Sequence, residues 1–313
     1  MPEMRVLAGV VMVSSTLLLI LARYVRAPKQ RGLSAWGWAG LLLIASAEIL
    51  LRRGVYWVAV YFTPLAWTGY LLLTDAATRT LRPPSHPGRT PREFFHLAFW
   101  SVPLWLVFEA YNLRLQNWTY VGLPANPVLQ AIGYVWSFAT IWPAILGTAD
   151  FLEALGCFSS LRRPRRIGPS LLWTLILTGV LCLVLPVLVP VRLGQYLFGG
   201  VWVGFVLVLD PLNYWAKGRS LLGDLEAGRT ARINNLLASG MVCGILWEFW
   251  NYWAAAKWVY VFPIMQGWKI FEMPLLGYLG FAPFALECFV MYEFGGTLRK
   301  QISRLLRRNA AFA

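Results

Sequence analysis

Apolar residues run through this chain in blocks of about twenty, broken by short basic or Pro/Gly-rich stretches such as Arg82-Pro83-Pro84-Ser85-His86-Pro87-Gly88. Nine blocks can be drawn, at 4–22, 34–51, 55–74, 94–112, 130–150, 170–190, 194–214, 233–253 and 276–297. Each approaches the roughly 20 residues a helix needs to cross about 30 Å of hydrocarbon. The pattern predicts an all-α, polytopic membrane protein of about nine transmembrane helices, with residues 1–313 forming a single integral membrane domain. In the first block the positive charges follow the apolar run instead of preceding it, which predicts a retained helix rather than a cleaved signal.

After that extra N-terminal helix, the remaining blocks pair as four hairpins. Their returning helices share features: Gly54-x-x-Trp57 with Pro64, Gly133-x-x-Trp136 with Pro143, Gly199-x-x-Trp202, and Gly277 with Pro283. The segments 94–153 and 233–297 read as an internal repeat, and the hairpins 34–75 and 170–215 as more weakly related to it. An acid stands near the end of each returning helix, at Asp75, Asp150, Asp210 and Glu293, beside basic clusters where an interfacial salt bridge is expected.

Composition agrees with the pattern. Hydrophobic residues make up 58% of the chain and charged residues 13%, which excludes an ordinary soluble domain. The net charge of +14 raises nucleic acid as a partner. However, the lysines and arginines lie in short clusters between apolar runs, so they are read as topology determinants and no nucleic-acid contact is expected. Clusters within 23–31, 79–92, 162–166, 217–232 and 299–308 alternate with sparse positions at Arg5, Arg52, Arg53, Arg114, Arg192, Lys257 and Lys269. This bias predicts an N-terminus outside and a C-terminus in the cytoplasm, in a membrane of the bacterial inner (plasma) type.

Candidate chemistry centres on a motif that occurs twice. Phe108-Glu109-Ala110-Tyr111-Asn112 is followed by Trp118-Thr119-Tyr120, and Trp247-Glu248-Phe249-Trp250-Asn251 by Trp258-Val259-Tyr260. Each copy places a carboxyl and an amide three residues apart on one helix face, where an apolar run ends. The connections that follow, about 113–129 and 254–275, are aromatic and poor in charge, and are expected to be re-entrant or interfacial caps buried in protein. Carboxyls inside a membrane span are costly and usually face the bundle interior or a water-filled cavity. Glu109 and Glu248 are therefore acid/base candidates, with Asn112 and Asn251 expected to orient them. Glu287 is a third intramembrane acid that could face Glu248. Tyr111, Trp118, Tyr120, Trp247, Trp250, Trp258 and Tyr260 would wall a ring-lined pocket able to stabilise a cation while an acid moves a proton. The alternative for both repeat acids is a hydrogen-bonded carboxyl that pins a helix end to its cap.

Missing signals narrow the chemistry. There is no phosphate-binding Gly loop, no GxSxG, no HExxH and no DxxxD pair. Cys157, Cys182, Cys243 and Cys288 have no metal-ligand or disulfide spacing, and His86 and His96 are too few for a multi-histidine centre. No cofactor and no metal are expected.

The order of Glu248, Trp258 and Tyr260, Gly277, Pro283 and Glu287, and in the earlier copy Glu109, Trp118 and Tyr120, Gly133 and Pro143, resembles the membrane carotenoid (lycopene) cyclase and carotenoid hydratase families. The cyclases' adjacent pair of acids is reduced here to Glu287 followed by Cys288, and the first copy has no acid at that place. The resemblance implies proton-initiated chemistry, light in cofactors, on long polyenes. Three functions are therefore open: a cyclase-like membrane enzyme acting on an isoprenoid or other lipid, a proton-coupled carrier or flippase for a lipid or small amphiphile, and a non-catalytic scaffold.

Overall fold

The computed structural model describes residues 2–83, 85, 88–158, 164 and 166–310. His86, Arg162, Arg163 and Arg165 lie outside these, as do the side chains of Arg304, Arg307 and Arg308. The helices are α1 (Pro2–Arg26), α2 (Ala35–Arg52), α3 (Tyr56–Val60), α4 (Phe62–Leu81), α5 (Pro91–Leu115), α6 (Pro127–Ala154), α7 (Pro169–Leu188), α8 (Val191–Trp215), α9 (Leu221–Glu226), α10 (Ala231–Trp253) and α11 (Phe281–Ala310). A 3-10 helix, Leu275–Gly280, leads into α11.

Seven of the described helical segments are long and apolar enough to cross a membrane: α1, α2, α5, α6, α7, α8 and Leu275–Ser303. The long helices α4 and α10 are not among them. Both are heavily enclosed by protein, and a helix face that meets other helices rather than lipid tolerates the polar residues that lower mean hydropathy. Among these are Thr74, Thr78 and Thr80 in α4, and Asn235, Ser239 and Asn251 in α10, all buried.

Helices pack as α2 on α4, α5 on α6, α7 on α8 and α10 on α11, with α4 also on α6, α8 on α11 and α6 on α10. Several of these contacts depend on glycine, as two examples show. A Cβ on Gly69 would stand 2.7 Å from the carbonyl oxygen of Gly40, and one on Gly179 would stand 2.8 Å from that of Gly204. The backbones of α2 and α4, and of α7 and α8, approach too closely there for a side chain.

The caps are not helical. Strands β1 (Trp118–Val121) and β2 (Lys257–Tyr260) pair antiparallel, and β3 (Lys269–Ile270) pairs with β4 (Met273–Pro274). The all-α expectation is corrected to this extent: the bundle is helical, and one end of it carries two small sheets. The register of the first pair is symmetric about Thr119 and Val259, with Trp118 opposite Tyr260 and Tyr120 opposite Trp258. The two Trp-x-Tyr segments thus pair with each other across the end of the bundle.

At the far end, three of the four acids meet basic residues as expected. Asp75 pairs with Arg79 at 2.7 Å, Asp150 with Arg89 at 2.7 Å, and Glu293 with Arg219 at 3.0 Å. Asp210 departs from that reading. Its carboxylate accepts from the Leu221 and Leu222 amides at 2.7 and 2.8 Å, so it caps the short helix α9.

Candidate active site

A cavity of about 460 Å³ lies at the cap end. It is walled by the cap-end halves of α4, α6, α8 and α11, by Trp105 and Trp247 from α5 and α10, and by the β1–β2 ribbon. Side chains two apart on a strand share a face, so Trp118, Tyr120, Trp258 and Tyr260 stand on one side of the ribbon, and all four line the cavity. Phe284 closes the floor, meeting Trp202 edge-on at 4.9 Å between ring centroids and Trp247 at 6.0 Å. Trp142 and Phe108, both fully buried, lie beneath it.

The repeat acids sit behind this wall rather than in it. In the first copy Glu109 Oε1 accepts from Trp105 Nε1 at 2.9 Å, from Trp118 Nε1 at 3.3 Å and from the Tyr120 hydroxyl. In the second, Trp258 Nε1 donates to the Tyr260 hydroxyl at 2.9 Å, and Tyr260 donates to Glu248 Oε1 at 3.0 Å. Glu248 is fully buried, and its Oε2 has no hydrogen-bond partner among the described residues. Burial first, and the neighbouring glutamate second, push Tyr120 and Tyr260 well above the usual tyrosine range, so both phenols keep their protons.

The asparagines do different work from that expected. Asn112 donates to the Trp118 carbonyl at 2.9 Å and accepts from the Asn117 and Trp118 amides at 2.8 and 3.1 Å. Asn251 treats Trp258 in the same way, donating at 2.9 Å and accepting at 3.0 Å. Both hold the start of a strand against a helix end, because an amide offers the donor and the acceptor that one extended residue requires. They position Trp118 and Trp258, not the glutamates.

Three further expectations are corrected by placement. Glu287 is fully buried, and neither of its oxygens makes a hydrogen bond among the described residues, so it is not paired with Glu248. Trp250 packs edge-on against the wall residue Trp67 at 5.1 Å and so lies behind the cavity wall, not in it. Tyr111 donates to the Leu183 carbonyl at 3.1 Å and packs on Phe205, so it too is outside the cavity. Trp247 does line it.

Sequence reading passed over Trp105, Trp202, Tyr134 and Phe284. Trp105 had a usable signal, since it lies four residues before Glu109 and so on the same helix face. The other three reach the cavity only through packing between distant helices. Asn117, which matches a glycosylation acceptor, is buried in the cavity wall with its carbonyl accepting from Val261 and Phe262. Among the described residues no group of three or more His, Cys, Asp or Glu could hold a metal ion.

No family model, no curated protein and no solved structure matches this chain.

Proposed function

We propose that this protein is a membrane-embedded enzyme that binds an isoprenoid or a comparable lipid in the cap-end cavity and acts on it by moving protons. One observation carries the reading: each Trp-x-Tyr copy places a tyrosine hydroxyl in the wall of a largely aromatic cavity with a glutamate hydrogen-bonded behind it. Such a pair moves a proton in either direction. The phenol oxygen takes a proton from the substrate as its own passes to the carboxylate, and the reverse sequence delivers one. Cyclisation or isomerisation of a polyene requires one proton in and one proton out, with no electron donor. The likeness to the carotenoid cyclases and hydratases points to the same substrate class.

All nine long helices cross the membrane in this reading. The N-terminus and the β1–β2 ribbon lie outside, and the basic far end faces the cytoplasm of a bacterial cell.

One observation bears on the carrier reading. A second pocket, of about 30 Å³, lies on the far-end side of Trp67 and is bounded by Tyr70, Thr74, Asp75, Arg82, Arg89 and Asp150. Its size admits water but no amphiphile, so it suits proton supply better than lipid passage.

The test is lipid mass spectrometry of cells carrying the wild-type protein or Glu248→Gln. We expect a lipid product that disappears in the variant while the folded protein remains at wild-type level. An active Gln variant overturns the assignment. Movement of unaltered lipid across liposomes, driven by a pH gradient, replaces the enzyme with the carrier.

A further inference from the structure

We propose that the part of the cavity in front of Glu109 is a cation subsite for a lipophilic ammonium, or for a substrate that becomes cationic during its reaction. This deepens the enzyme assignment and rests on the same cavity. The two copies of the motif are not equivalent. Among the described residues Glu248 is served by Tyr260 and Trp258, whereas at Glu109 the Trp105 indole joins Trp118 and Tyr120 as a third donor on one oxygen. Three donors on Oε1 leave that oxygen an acceptor only. The difference is built in by Trp105, whose counterpart four residues before Glu248 is Gly244, where the Phe281 ring occupies the space.

Among the described residues Glu109 makes no salt bridge. Lys257 contributes to the cavity wall but is paired with Glu272 at 2.6 Å. Glu109 is half-buried among these rings, and no cationic side chain among the described residues is paired with it. In front of it stands a cage of rings. Tyr134 meets Tyr120 edge-on at 5.0 Å, Phe138 lies 6.1 Å from Trp105, and Phe198 meets Trp118 edge-on at 5.4 Å. Aromatic faces backed by a negative charge are the arrangement that binds quaternary nitrogen.

The test compares phenyltrimethylammonium with its neutral isostere tert-butylbenzene, titrated calorimetrically into the full chain in a non-ionic detergent. Glu109→Gln should weaken the ammonium roughly tenfold and leave the neutral ligand unchanged. Tyr134→Leu, which makes no bond to Glu109, should also reduce the ammonium preference, and this keeps the proposal testable if the Gln variant fails to fold. Equal affinities for the two ligands after correction for micelle partition, or an equal loss of both on Glu109→Gln, overturns the subsite. Lipid turnover that depends on Glu248 without any ammonium preference removes this subsite and keeps the enzyme. An ammonium preference without turnover removes the enzyme and keeps the subsite.

Discussion

Tyr260 is the residue on which the second copy depends. Its hydroxyl accepts from Trp258 at 2.9 Å and donates to Glu248 at 3.0 Å. Tyr260→Phe would remove both bonds at once beside a fully buried carboxyl, and we expect a cost of about 1–3 kcal/mol. Tyr120→Phe should cost less, because Glu109 keeps Trp105 and Trp118 as donors. Thermal unfolding of both variants in detergent checks the order, and a milder effect at Tyr260 contradicts it. At this scale the sequence was informative about which side chains gather, but not about which of them touch. Glu109, Trp118 and Tyr120 are close in the chain and rigidly framed, so their meeting could be anticipated. Asn112 and Asn251 lie on the same helix face as the acids, yet their amides turn to the strand that follows. That choice depends on how the chain leaves the helix, and Gln116, in left-handed backbone at φ 53° just beyond α5, gives no advance sign of it.

Among the elements, the β1–β2 ribbon is what brings the two copies into one site. It is four residues long on each side, too short to be stable alone, so its side-chain clamps and its close approach to the neighbouring chain matter. Gly122 shows how close that approach is: at φ +68°, a Cβ there would stand 1.9 Å from the Ala255 carbonyl oxygen. Asn112→Ala removes three hydrogen bonds at the start of β1, and Asn251→Ala removes two at the start of β2. We expect Asn112→Ala to expose the cap more, seen as faster limited proteolysis within 113–126 and faster amide exchange at Trp118. Unchanged exchange would mean the clamp is dispensable. The burial of these connections was legible, since an aromatic segment poor in charge does not stand in water. Their pairing was not, because segments this short carry no periodic signal and each finds its partner well over a hundred residues away.

For the whole molecule, the separation between its two ends carries the orientation. Arg5 donates to the Gly267 carbonyl at the cap, whereas Arg23, at the other end of the same helix, donates to the carbonyls of Leu155 and Gly156. The helix α1 therefore runs from the sparsely charged end to the basic one, and the proposed orientation, N-terminus outside, rests on the positive-inside bias. Seven of the nine predicted blocks became helices apolar and long enough to cross a membrane, whereas the hydropathy of α4 and α10 reflects their enclosure by protein. Whether these two cross as well can be measured directly. In a background lacking Cys157 and Cys182, Leu113→Cys at the exposed cap end of α5 and Gly32→Cys at the far end are treated with a membrane-impermeant maleimide in intact cells. We expect Leu113→Cys to react at once and Gly32→Cys only after permeabilisation. Since α4 and α10 link far-end and cap-end residues of known side, that result requires both to cross, and labelling of Gly32→Cys in intact cells would invert the orientation and place the cavity on the cytoplasmic side.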